Sequence, residues 1–268
     1  MLLFSRNAYA IIPNTTNPLE VKLYMKKKCR AFLSDYPHSW TLLYFPIYLI
    51  WFFWLESRAS QPYYVIHTVL DDYIPFCEYF IIPYFLWFVY IAVVYLWLFF
   101  KDKDNFYKYT AFLYSGMTLF LLVSTIYPNG HLLRPLEFER DNIFIQMVCF
   151  LYWADTSTNI LPSIHVFNSI AAHMAIMHTP ALTKQTWTVR GSRILYISII
   201  LSTMFLKQHS CIDAILGITL GYGMNYLVYH TDSLVKAHDF VRKLVSKDGD
   251  FSSAFSRKVH RSAKDAKI

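Results

Sequence analysis

The sequence predicts an all-α polytopic membrane protein, a bundle of six transmembrane helices. Three observations predict it. Of 268 residues, 55% are hydrophobic and only 16% charged, too apolar for an ordinary soluble domain. Several stretches approach the roughly 20 apolar residues that carry a helix across a bilayer. Basic residues also alternate across them. Segments 1–38, 101–108, 184–193 and 236–267 hold six, three, three and nine of the 25 lysines and arginines, and only Arg58, Arg134, Arg140 and Lys207 lie elsewhere.

Taken in order, residues 1–38 form a basic segment in which "KLYMKKKCR" (22–30) anchors the first span. Residues 39–56 are that span. Residues 80–100, without a charge, are the second, and 109–127 the third. "DNIFIQMVCFLYW" (141–153) is too short to cross and is expected to be interfacial or re-entrant. Residues 166–178 are rich in small side chains, so this fourth span should face other helices rather than lipid. Residues 193–206 and 212–229 are the fifth and sixth, and Gly217 and Gly221 form a GxxxG suited to close packing. The membrane domain is thus 39–230. The basic tail, 231–268, begins with "SLVKAHDFVRKLV", which reads as an amphipathic surface helix.

An even number of spans and the positive-inside rule put both termini in the cytoplasm. The net charge of +7 then reflects topology and contact with anionic headgroups. Nucleic acid is not expected as a partner, because the basic residues flank spans instead of lining a groove. No cleavable signal peptide is evident, and a compact chain without a sorting tail points to a bacterial inner membrane. The four cysteines show no CxxC spacing, and a disulfide among Cys77, Cys149 and Cys211 stays open.

Three polar clusters fall at span ends on the outer face: "YPNGHLLRP" (127–135), "LPSIHVFNS" (161–169) and "LKQHSCID" (206–213). Taken singly, each has a plain structural reading as a cap, a headgroup contact or a surface histidine. Together they suggest phosphoryl chemistry. His209 and Asp213 are four apart, so a carboxylate can orient one ring nitrogen and leave the other nucleophilic. Pro162 suits a first helical turn, Ser163 or Asn159 can cap it, and His165 follows one turn later. Arg134 offers a planar set of donors suited to phosphate. Asp71, Asp72 and Glu78 read as a solvated loop, His131 as a surface residue, and His173 and His178 as structural. A rival reading makes His131, His165, His209 and Asp213 ligands of a metal ion, although no pair has a recognised metal spacing.

At these residues the chain resembles the type-2 phosphatidic acid phosphatase superfamily. That family carries Lys-x6-Arg-Pro, Pro-Ser-Gly-His and Ser-Arg-x5-His-x3-Asp on a six-span bundle of the phosphatidic acid phosphatase/chloroperoxidase type. Arg134-Pro135 matches the first motif, Pro162, Ser163 and His165 the second, and Ser202, His209 and Asp213 the third. The resemblance covers roughly residues 80–230. It implies that His209 forms a phosphohistidine, that Asp213 orients it, and that His165 protonates the leaving alcohol. Arg134 and Ser163 would hold the phosphate, and no metal or other cofactor is needed. Tyr127, Ile164 and Thr203 stand where the family has lysine, glycine and arginine. Lys207 is the candidate to restore one charge. The loss of cations shifts weight toward a phosphodiester, and the pattern looks closer to the lipid phosphotransferases, sphingomyelin synthase and inositol phosphorylceramide synthase. The expected partners are a lipid phosphate or phosphodiester and the surrounding lipids. Hydrolase and transferase share the first half-reaction and remain open at this point, and a non-catalytic transporter or scaffold of the same fold is the alternative.

Overall fold

The computed structural model describes residues 18–231, so the amphipathic helix expected after 231 lies outside the described residues. The fold is mostly helical. Its elements are α1 (Pro18–Asp35), a 3-10 turn (Pro37–Leu43), α2 (Tyr44–Glu56), β1 (Tyr64–Val65), α3 (Val69–Tyr73) and a second 3-10 turn (Glu78–Phe80). There follow α4 (Ile81–Lys101), α5 (Lys103–Ile126), β2 (Asn129–Gly130), α6 (Ile143–Ala154), α7 (Ile164–Met177), α8 (Pro180–Thr183), α9 (Thr186–Phe205) and α10 (Cys211–Tyr229). Packing divides the chain into residues 1–45 and 46–268. In the first unit, α1 buries none of its residues and carries the basic run.

Among the described residues three helices are long and apolar enough to cross a membrane: Glu78–Lys101, Lys103–Ile126 and Cys211–Tyr229. The segments Ile143–Ala154 and Ile164–Met177 are apolar but shorter. The first expected span, 39–56, is not one helix. It begins as a 3-10 turn and becomes α-helical only at Tyr44. Pro46 explains the boundary. Proline has no N–H to give four residues back, so it is tolerated only in the first turn.

In the second unit, α7 is the central helix, packed against α4, α5, α9 and α10. Ten of its fourteen residues are buried, as its small side chains predict. Two glycines of α10 allow the approach. A Cβ on Gly217 would lie 2.9 Å from the Ser163 carbonyl oxygen, and one on Gly221 would lie 3.1 Å from the Ile170 side chain. On the opposite side, Phe167 of α7 sits in the notch left by Gly116 of α5. Some polar groups inside the bundle pair across helices. The Ser192 hydroxyl bridges the Tyr90 hydroxyl at 2.6 Å and His173 Nδ1 at 2.8 Å, so His173 is structural, as predicted.

The cysteines at 29, 77, 149 and 211 are all free, which settles the disulfide question for this structure.

Close packing of α10 on α7 generates a prediction. Gly217→Ala should lower stability by about 1–3 kcal/mol, the usual cost of overpacking, because the obstacle is backbone rather than a side chain. Gly223→Ala is the control, since nothing lies within 4 Å of that position. Thermal unfolding of the two variants in detergent micelles reads the difference.

Candidate active site

The end of the bundle where the three polar clusters lie is tied by loops from distant parts of the chain. The strands β1 and β2 pair in parallel, Tyr64 with Asn129 and Val65 with Gly130. Gly130 also bridges Thr158. A Cβ there would lie 2.7 Å from the Ser157 carbonyl oxygen and from the Tyr63 ring, so only glycine fits. Asn129 is fully buried. Its Oδ1 accepts the N–H groups of Ile160 and Leu161, both at 2.9 Å. The segment leading into α7 therefore hangs from the first polar cluster. Asn129 carries no motif, and only its Asn-Gly neighbourhood hints at a turn.

At the end of that segment Ser163 is the N-cap of α7, and its Oγ accepts from Val166 N at 3.4 Å. Pro162 precedes the cap and lies two residues before the first helical residue, Ile164, so the expectation holds for Ser163 as the cap and not for the proline in the first turn. Ser163 is fully buried, behind the helix start.

Two histidines meet beyond this cap. His165 Nδ1 lies 3.4 Å from His209 Nε2. The His165 ring is flanked by Trp87 and Tyr84, with centroids 4.5 and 4.8 Å away. His209 sits two residues before α10, and its Nδ1 lies 3.4 Å from Asp213 Oδ2. That contact is too poorly aligned to count as a hydrogen bond, so His209 Nδ1 and Asp213 Oδ1 are buried without partners. Asp213 Oδ2 accepts Ser210 N at 2.9 Å, completing the capping box of α10. The structural and functional readings of this aspartate therefore coexist: it caps α10 and stands beside the ring. Burial, and then the Arg134 charge, lowers the His209 pKa to about 3. The ring is neutral at physiological pH.

Both histidines line a cavity of about 420 Å³. Its walls are aromatic, among them Tyr48 and Phe52 of α2, Tyr84 and Trp87 of α4, Phe120 of α5 and Phe150 of α6. Its polar lining includes Gln208, Glu56 and Asp155, which the three motifs do not single out. Glu56 accepts from Thr156 Oγ1 at 2.8 Å and from Asn159 Nδ2 at 3.0 Å. Burial, and then the Glu56 charge, raises the Asp155 pKa to about 6.

The two expected cations do not line this cavity. Arg134 caps the C-terminal end of α6: Nη1 donates to the carbonyls of Tyr152 (3.2 Å) and Asp155 (2.9 Å), and Nη2 to Thr156 O (2.9 Å). Such carbonyls lack intrahelical partners and carry the negative end of the helix dipole. Nη2 also donates to Gln208 Oε1 at 2.6 Å. Lys207 donates to the carbonyls of Asp71 and Ile74. It holds φ at 51°, a left-handed conformation costing an L-residue about 1–2 kcal/mol, which these bonds offset.

The acidic loop that holds Asp71, Asp72 and Glu78 is not simply solvated. Asp72 is exposed and pairs with His67 at 2.8 Å, but Asp71 and Glu78 are each 3% exposed. The Asp71 carboxylate accepts from Ser210 Oγ, from Cys211 N at 2.7 Å, and from Thr68 N at 2.8 Å. It joins α3 to the start of α10. Burial pushes its pKa up, the bonds from Ser210, Cys211 and Thr68 pull it down, and the balance is about 2. Glu78 accepts from Arg140 (2.9 Å) and Asn142 (3.2 Å). His131 is likewise fully buried, not a surface residue. It donates through Nε2 to Gln208 O at 2.9 Å while Nδ1 accepts Leu133 N at 3.1 Å. Burial, with nearby His209 and Arg134, lowers its pKa to about 3. Among the described residues no group of three or more His, Cys, Asp or Glu side chains is placed to hold a metal ion.

Asp155 generates a pH prediction. Its carboxyl titrates near 6 in the folded chain against an ordinary 3.8. Between those values the folded state binds more protons than the unfolded one, so this group makes stability fall as pH rises through that window. Asp155→Asn should raise the melting temperature at pH 7.5 and remove that part of the decline. A melting temperature for Asp155→Asn at or below that of the parent at pH 7.5 would contradict the assignment.

No family model, no curated protein and no solved structure matches this chain.

Proposed function

We propose that this chain is an integral membrane enzyme of the phosphatidic acid phosphatase type, with six spans and both termini cytoplasmic. It acts on lipid phosphate esters at the extracytoplasmic face, as a phosphatase or a phosphotransferase. The observation that carries the reading is the meeting of His165 and His209, 44 residues apart in sequence, at 3.4 Å in an aromatic cavity. Asp213 stands behind the second ring. The sequence resemblance and the cavity's apolar walls support a lipid substrate.

The chemistry follows from the two faces of His209. With its proton on Nδ1, toward Asp213, Nε2 carries the lone pair. Nε2 attacks phosphorus, an N–P bond forms, and the bond to the leaving oxygen breaks. His165 supplies the proton that oxygen needs. Water or an acceptor alcohol then attacks phosphorus, gives its proton back to His165, and releases His209. In-line displacement puts the leaving oxygen opposite Nε2. His165 must therefore turn away from its contact with His209 to reach it, so substrate entry and acid positioning are one movement. Arg134 acts at a distance in this reading, and Ser163 acts through the α7 terminus, whose first amides have no intrahelical acceptor. Lys207 has a structural part.

A non-catalytic protein of the same architecture is the second reading. It is favoured by the engagement of Arg134 and Lys207 in backbone contacts.

His209→Ala should abolish turnover of lipid phosphates and phosphodiesters while the protein still inserts, and acid-labile phosphate should be trapped on His209 of the parent. His165→Ala should slow substrates with ordinary alcohol leaving groups by about 10²–10⁴ and spare those whose leaving group is already acidic. Full activity in His209→Ala would sink the mechanism. Lipid product formed with and without an alcohol acceptor separates transferase from hydrolase.

A further inference from the structure

Gln208 lines the cavity that holds the two histidines and is 3% exposed. Its Oε1 accepts from Arg134 Nη2 at 2.6 Å. A guanidinium only donates, so the atom facing it is oxygen and the amide has one orientation. That leaves Nε2, with two N–H groups, buried and without a hydrogen-bond partner among the described residues. Leaving such a donor unpaired costs about 1–3 kcal/mol. The backbone cannot easily turn it elsewhere. Gln208 N donates to Thr203 O at 2.9 Å, and Gln208 O accepts His131 Nε2 at 2.9 Å. The next residue is His209.

We propose that Gln208 Nε2 donates to a non-bridging oxygen of the phosphoryl group attacked by His209, and that the substrate is a monoanionic phosphodiester. Arg134 is the positioning residue, holding the amide through Oε1. The inference rests on the function proposed above and names its substrate class. A neutral amide stabilises an oxyanion by hydrogen bonding without supplying a full charge. No lysine or arginine lines the cavity among the described residues, whereas Glu56 and Asp155 do. A phosphomonoester dianion would bring two negative charges to that lining, and a diester brings one. Gln208 makes and breaks no covalent bond, so the proton and leaving-group balance of the His209 step is unchanged.

The discriminating variant is Gln208→Glu. It keeps the shape and the acceptor for Arg134 but removes the Nε2 donor and faces the phosphoryl group with a carboxylate. The expected result is a fall in kcat/KM on lipid phosphodiesters of about 100-fold or more, with the melting temperature retained. Gln208→Ala should lose about 10- to 100-fold. A merely structural glutamine would leave Gln208→Glu fully active, and that result overturns the proposal. A second measurement needs no turnover. The chain has four glutamines, so the Nε2 resonances of ¹⁵N-glutamine-labelled protein in micelles can be assigned by their loss in Gln208→Glu. Dimethyl phosphate should shift them at lower concentration than inorganic phosphate at pH 8. Unmoved resonances, or a preference for inorganic phosphate, overturn the proposal. If they stay unmoved while the parent turns over lipids through His209, the proposal fails and the function stands. A parent inert on the whole lipid panel removes the function instead.

Discussion

The end of the bundle that carries the two histidines depends on one half-buried cation. The Arg134 guanidinium joins the segment after β2 to the end of α6, through three backbone carbonyls, and to Gln208 beside His209. Taking a guanidinium partly out of water is costly unless its donors find acceptors. Here both terminal nitrogens find them, in backbone carbonyls at and just beyond a helix end and in the Gln208 amide, while Nε is left without a partner. The geometry next to the histidines follows from those four bonds. The same economy recurs at Asp71, which collects donors from α3 and from the start of α10.

Charge in the cavity is organised accordingly. Positive groups lie behind its wall and act through intermediaries, while carboxylates and aromatic rings form the lining. Arg134 still reaches His209 electrostatically, since its field and the ring's burial keep the imidazole neutral. On the proposed reading, neutrality is what a nucleophile needs, and the missing family cations at 127 and 203 become a feature of substrate choice. The Thr203 carbonyl accepts the N–H groups of both Gln208 and His209, so the backbone at this position shapes the turn that carries the site.

Much of this architecture was legible in the sequence, and the reasons are local. Helix periods, the Ser163 cap, the GxxxG contact and the four-residue spacing of His209 and Asp213 are short-range patterns. Apolarity and small side chains placed α7 inside the bundle. What escaped was decided by partners far along the chain. Nothing near Asp71 or Glu78 announces that they are buried. Asn129 and Glu56 belong to no motif, Gln208 lies beside His209 in the third polar cluster without a sign of its partner, and Arg134 spends its fork on carbonyls that only the fold brings near. Within 39–56 composition is uniformly apolar, and only Pro46 marks the place where the 3-10 turn gives way to α2.

The burial of α7 has a consequence for how such a chain is made. With Asn168, Ser169 and His173 among its buried residues and only fourteen residues of helix, it is poorly suited to lie alone in lipid. Its partners α9 and α10 are synthesised after it. On the proposed reading α7 is therefore a span that needs its neighbours: α4 and α5, made before it, cover part of its surface, and α9 and α10 complete the cover. His209 lies on the turn between α9 and α10, so the chain segment that finishes burying α7 is also the one that brings the second histidine to the first.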